Sequence, residues 1–258
     1  MFALTRRTCL AAALSLISAL ALPVAALAED ALIAVAANYA GAVSAVADAF
    51  AKDTGHSVQI ATGATGKLFA QIKEGAPFAV MLSADARTPA RIEAEGFGVA
   101  GTRFTYAVGK LTLWSHDADR IGADPRAALV AKDTLYIAIA NPDLAPYGIA
   151  ARETLQAMGL WDALQAKIVM GQNVGQTFSL VDSGAAQVGF VATSGVQIPG
   201  VVAKGSHYDI PQEMFAPIRQ DAILLKPGKD NPAARAFLDY LRGDTAKAIA
   251  QSYGYGVE

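Results

Sequence analysis

Short apolar runs alternate with amphipathic stretches along most of the chain, which is the pattern of repeated βαβ units. Residues 31–37 (ALIAVAA) predict a buried strand. Val43, Val46, Ala47 and Phe50 then recur at helical spacing, and Gly55 stops that helix. A second strand is expected at 57–61, and a turn at 63–66. A helix carrying Leu68, Phe69 and Ile72 follows and runs to Gly75. A third strand at 79–82 and a helix at 87–95 complete a β-α-β-α-β-α order. That order predicts a mostly parallel sheet with right-handed crossovers.

The stretch 104–114 alternates apolar and polar residues and reads as one long strand passing into a second lobe. There the expected elements are a helix at 124–131, a strand at 135–140 and a helix after Pro146. A helix at 161–166, a strand at 167–170, a helix after Gly175 and a strand at 188–191 follow. Residues 221–226 (DAILLK) predict a late strand. Two C-terminal helices carry Phe237, Leu238 and Leu241, and then Ala248 and Ile249. The expected fold is α/β with two lobes, each a mostly parallel sheet flanked by helices. A ligand belongs in the cleft between them. The division is 29–105 plus 221–258 for the first lobe and 106–220 for the second.

The first 28 residues break this pattern. Arg6 and Arg7 precede an apolar run from Leu10 to Leu27, and Ala26-Leu27-Ala28 has the small-residue form of a cleavage site. We read residues 1–28 as a signal peptide for export to the periplasm. The alternative, a membrane anchor, is disfavoured by Ser15, Ser18 and Pro23 within the run. Thr5-Arg6-Arg7 is weakly similar to a twin-arginine signal. Cleavage would remove Cys9, the only cysteine of the 258 residues, and with it any thiol nucleophile or thiolate metal site. It would shift the formal charge from −2 to −4.

Composition narrows the function further. Apolar types make up 53% of the chain and charged types 17%, which excludes intrinsic disorder. Lys and Arg number 21 against 23 Asp and Glu, with no basic run beyond two residues, so nucleic acid is not an expected partner. His56, His116 and His207 lack companions at metal-ligand spacing, and the signatures H-E-x-x-H and G-x-S-x-G are absent. Gly63-Ala64-Thr65-Gly66-Lys67 looks like the end of a phosphate-binding loop. It fails because Ala61 stands where the first glycine is required and Leu68 where Ser or Thr is.

Four loops share a physical theme: each follows a strand, leads into a helix and carries small or neutral donor residues. They are Ala37-Asn38-Tyr39, Gly63-Ala64-Thr65-Gly66, Ala145-Pro146-Tyr147-Gly148 and Gln172-Asn173-Val174-Gly175-Gln176. A helix N-terminus offers free backbone N–H groups and partial positive charge, so it attracts an anion without Lys or Arg. Four such ends in one cleft would cage a small tetrahedral oxyanion. Taken singly, each loop has a plainer explanation. Asn38 and Thr65 would serve as N-caps, Pro146 suits a helix first turn, and Tyr147 and Val174 suit packing.

Together these segments resemble the periplasmic molybdate-binding proteins of ABC importers, within the type II two-lobed substrate-binding proteins. The similar stretches run from Val35-Ala36-Ala37-Asn38-Tyr39 through Gly63–Ile72, Gly75-Ala76-Pro77-Phe78, Leu82-Ser83-Ala84-Asp85 and Ala140-Asn141-Pro142 to the Tyr147 and Val174 loops. Gly189-Phe190-Val191-Ala192 and the stretch from Arg219-Gln220-Asp221 to Leu225 end the set. The resemblance implies binding of molybdate, and of tungstate, for delivery to an inner-membrane permease. It implies a monomeric mature chain, no cofactor and no enzymatic activity. It places ligand contacts at Asn38, Thr65, Tyr147 and the backbone of Val174, with Ala37, Ala64 and Gly175 as further backbone donors. Ala37 stands where some members carry a hydroxyl, and Ala192 where the enteric members carry a ligand tyrosine. Asp85 is expected to cap or act at a hinge, and Lys67 to be a solvated surface lysine. The competing readings are a receptor for another oxyanion such as sulfate, and an exported enzyme. A DNA-binding regulator of the same fold is disfavoured because the mature N-terminus opens directly on a strand.

Overall fold

The structure, a computed structural model, describes residues 30–258; the proposed signal peptide lies outside the described residues. β1 (Asp30–Ala36), α1 (Ala40–Thr54), β2 (Ser57–Gly63), α2 (Thr65–Lys73), β3 (Val80–Leu82) and α3 (Arg87–Ala94) follow in order. β4 (Phe104–Gly109) and β5 (Leu111–Ser115) come next. The middle of the chain holds α4 (Pro125–Val130), β6 (Ile137–Ala140), α5 (Pro146–Ala157), α6 (Trp161–Leu164), β7 (Ile168–Gly171) and α7 (Val174–Asp182). β8 (Val188–Ala192), α8 (Thr193–Val196), β9 (Ser206–Asp209), β10 (Ile218–Leu224), α9 (Pro232–Tyr240) and α10 (Asp244–Ser252) complete it.

The strands form two five-stranded sheets of identical pattern, β2-β1-β3-β10-β4 and β7-β6-β8-β5-β9. In the first, β1 pairs parallel with β2 and β3, and β10 runs antiparallel to both β3 and β4. In the second, β6 is parallel to β7 and β8, and β5 is antiparallel to β8 and β9. Each sheet is therefore parallel except for one reversed strand. That strand is the first that the chain enters after crossing from the other lobe, β10 in the first sheet and β5 in the second. The two-lobed α/β expectation holds.

Local chemistry explains the elements. α1 buries Val43, Val46 and Phe50 at helical spacing, and ends where Gly55 takes φ 76° and donates to the Ala51 carbonyl at 2.9 Å. Pro146 and Pro232 sit in the first turns of α5 and α9, where the absent N–H costs nothing. Asn173 caps α7 by accepting from the Gln176 N–H at 2.9 Å.

The expected single strand at 104–114 is two strands broken at Lys110. β4 stays in the first sheet and β5 belongs to the second. The apolar phase slips by one position there, from Phe104, Tyr106 and Val108 to Leu111 and Leu113, and that slip is the only local mark of the break. The late strand spans Ile218–Leu224 rather than 221–226, and α7 starts at Val174, ahead of Gly175. β9 and α8 were not expected. The sequence of β9, SHYD, has no apolar alternation, and α8 is a single turn.

Candidate functional site

The four strand-to-helix loops meet at one cavity between the lobes. Ala36, Ala37 and Asn38 line it from the end of β1, and Gly63, Ala64 and Thr65 from the start of α2. Ala145, Pro146 and Tyr147 line it from the start of α5, and Asn173 and Val174 from the start of α7. Ala84, after β3, is the remaining lining residue. No lining residue carries a formal charge. The cavity measures about 10 Å³, roughly the space that one water-sized sphere fills. The apolar cluster of the second lobe extends across the cleft to Ala36, Ala64 and Ala84, so the surrounding walls are dry.

Close backbone approach makes this convergence possible. The Gly66 N–H, in the first turn of α2, donates across the cleft to the Leu144 carbonyl at 2.9 Å. A Cβ on Gly148 would meet the Ala140 carbonyl oxygen at 2.1 Å, so only glycine lets α5 start so near the end of β6. The first N–H groups of a helix have no partner within it, and Thr65, Tyr147, Val174 and Gly175 all occupy first turns.

Two hydroxyls are oriented by bonds they accept. Thr65 Oγ1 accepts from the Ala84 N–H at 3.1 Å. Tyr147 Oη accepts from Gln220 Nε2 at 3.2 Å. In both, the hydroxyl proton is not used in that bond. Tyr147 is 1% exposed. Burial, then the neighbouring Tyr255 hydroxyl, push its titration well above the ordinary phenol range, against the lowering by bonds from Gln220 and Asn38. It remains a donor at physiological pH.

Asn38 is held differently. Its Nδ2 donates to Gln220 Oε1 at 2.8 Å and to the Tyr255 hydroxyl at 3.1 Å. Its main-chain carbonyl accepts from Tyr255 at 2.7 Å and from Ser194 of the second lobe at 2.9 Å. An amide nitrogen has two protons, so both side-chain N–H groups are engaged inside the protein. The first loop therefore has backbone N–H groups to offer. Behind it, Tyr39 packs edge-on against Tyr106 and Tyr255, with ring centroids at 4.8 and 5.0 Å.

Of the residues singled out in the sequence, Asn38, Thr65, Tyr147, Val174, Ala37 and Ala64 line this one cavity. Gly175 lines a neighbouring apolar hollow of about 280 Å³, as does Ala192, which caps α8. Asp85 accepts from the Thr88 N–H at 2.8 Å and the Thr88 hydroxyl at 3.2 Å at the start of α3, a capping geometry. Lys67 is exposed on α2. Sequence reasoning gave no role to Gln220, Tyr106, Tyr255 or Ser194, which tie the loops together. Gln220 falls just ahead of the strand expected at 221–226, between Arg219 and Asp221, where nothing local marks it as buried.

Residues 31–256 match the family described as bacterial extracellular solute-binding protein. A molybdate-binding protein ModA of Azotobacter vinelandii is 46% identical over 235 residues, covering 91% of this chain and 92% of that one. A molybdate-binding protein ModA of Rhodobacter capsulatus is 44% identical over 248 residues, covering 96% of each. The solved structure of an Azotobacter vinelandii periplasmic molybdate-binding protein aligns with TM-score 0.85 at 38% identity, covering 88% of this chain and 99% of that one. The chain belongs to the bacterial extracellular solute-binding protein family.

Proposed function

We propose that this protein binds molybdate, and tungstate, in the periplasm and delivers it to the permease of an ABC importer. The carrying observation is the convergence of four helix-start loops on one uncharged cavity. A tetrahedral dianion there would accept only from N–H and O–H groups. Such charge-assisted bonds are each worth about 1.5–3 kcal/mol net. The contacts we assign are the hydroxyls of Thr65 and Tyr147, the backbone N–H of Asn38 and Val174, and those of Ala37, Ala64 and Gly175. Asn38 serves through its main chain, because its side chain is committed to Gln220 and Tyr255.

A cage made only of donors disfavours protonated anions such as hydrogen phosphate, whose proton would find no acceptor. Sulfate matches molybdate in charge and shape, so size must separate them. Relatives that are 44–46% identical and named for molybdate support molybdate over sulfate. The lining holds no His, Asp, Glu, Lys or Cys, which supports binding rather than acid–base or nucleophilic catalysis.

The lobes close over the ligand by hinge motion at the two connections, Lys110 and residues 210–217. The site is complete within one chain, which supports a monomer. The signal-like N-terminus and the family support export with removal of residues 1–28. Elemental analysis of protein purified from the exported fraction tests this reading. Near-stoichiometric molybdenum or tungsten is expected; sulfate binding with neither metal present would refute it.

A further inference from the structure

We infer that Gln220 is the positioning residue that makes Tyr147 a donor to the bound anion, and that it does so only when the lobes meet. The inference rests on the oxyanion reading of the cavity.

Gln220 lies on β10 in the first sheet and is fully buried, whereas Tyr147 lies on α5 in the second lobe. The β10–β4 ladder shifts register between Gln220 and Asp221. Gln220 faces Ala107 and Asp221 faces Thr105, so Tyr106 is the extra residue of a bulge. Bulges re-aim side chains beside sites. Gln220 and Asp221 are both buried, at 0% and 1% exposure, as is the rest of β10 to Leu224. Asp221 anchors the distortion through Arg103 at 2.6 Å and Thr105 at 2.8 Å.

The orientation of the Gln220 amide follows from its surroundings. Its oxygen receives the Asn38 Nδ2 proton at 2.8 Å, and the Tyr106 hydroxyl lies at 3.0 Å. Turning the amide round would set its NH₂ against the Asn38 NH₂. With the Asn38 amide donating its protons, the Gln220 nitrogen faces Tyr147, at 3.2 Å. Tyr147 Oη accepts there, so its one proton is left to donate, on the oxyanion reading to the bound anion. Gly109 leaves the room: a Cβ at that position would stand 2.3 Å from Tyr147 Oη and 2.5 Å from Gln220 Nε2. Gln220 thus holds the Asn38 loop of one lobe and the Tyr147 hydroxyl of the other with a single amide.

A double-mutant cycle by molybdate calorimetry on the mature chain tests this, with Tyr147→Phe, Gln220→Met and the pair. Gln220→Met conserves volume, and is expected to weaken molybdate about tenfold when Tyr147 is intact and less than about twofold when Tyr147 is Phe. An equal loss in both backgrounds would make Gln220 a packing residue and overturn the inference. Unchanged affinity in Tyr147→Phe alone would overturn both the inference and the site reading beneath it. Should Gln220→Met not fold, Gln220→Leu removes the same amide with a shorter side chain. Its loss of about tenfold should likewise shrink below about twofold in the Tyr147→Phe background, and an equal loss in both backgrounds would again overturn the inference.

Discussion

Each lobe contributes one hydroxyl-bearing residue to the cavity lining, and the two hydroxyls are held differently. Thr65 in the first lobe is set by the Ala84 N–H of the same lobe. Tyr147 in the second is set by Gln220 of the first sheet, across the cleft. On the proposed site, the first half is built within one lobe and the second needs both lobes together. If Tyr147 donates as proposed, its binding energy is available only to an anion that lets the lobes meet. This couples recognition to closure, since a ligand stabilises the closed state only by what it gains there.

Four predictions sharpen or break this asymmetry, in falling order of effect. Gly109→Ala should do most, because its Cβ displaces Tyr147 and Gln220 together. Molybdate affinity by calorimetry should fall more than in either single truncation. Tyr147→Phe should weaken molybdate by roughly ten- to a hundredfold, the loss of one charge-assisted donor. It should leave the ligand-free melting temperature nearly unchanged if the contact forms on closure. Thr65→Ala should cost about tenfold or less. Unlike Tyr147→Phe, it should lower the ligand-free melting temperature, because the buried Ala84 N–H loses its acceptor before any ligand arrives. Equal behaviour of the two variants in the ligand-free protein would break the comparison.

The smallest effect concerns pH. No Asp, Glu, His, Lys or Arg lines the cavity, and the Tyr147 hydroxyl is raised by burial. A raised phenol keeps its proton beyond the ordinary value of about 10 and loses the donor only as pH rises past its own higher value. Affinity should stay level from about pH 6 to about pH 9 and fall only in stronger alkali. A drop near neutrality in competition assays would point to a titrating group that the cavity does not contain.

The parts legible in the sequence were those with local causes. Glycine, proline and small residues at strand ends marked the four helix starts, and a helix start carries its anion-binding property wherever it goes. The crossing at Lys110 left only a one-position slip of apolar phase between Val108 and Leu111, which lie in different sheets. Gln220 was hidden for another reason. Its meaning depends on a bulge whose extra residue, Tyr106, is defined by pairing with a strand more than a hundred positions away. Asn38 was legible as a site residue but not in its manner of acting. Its engaged carboxamide is visible only with Tyr255 and Gln220 beside it.

The central claim is that an uncharged cage of helix-start donors selects a large tetrahedral dianion. Calorimetric titration of the mature protein with molybdate, tungstate, sulfate and phosphate tests it most directly. The account predicts tight binding of the first two, with sulfate at least about a hundredfold weaker and phosphate weaker still. Tight sulfate binding without molybdate binding would contradict it.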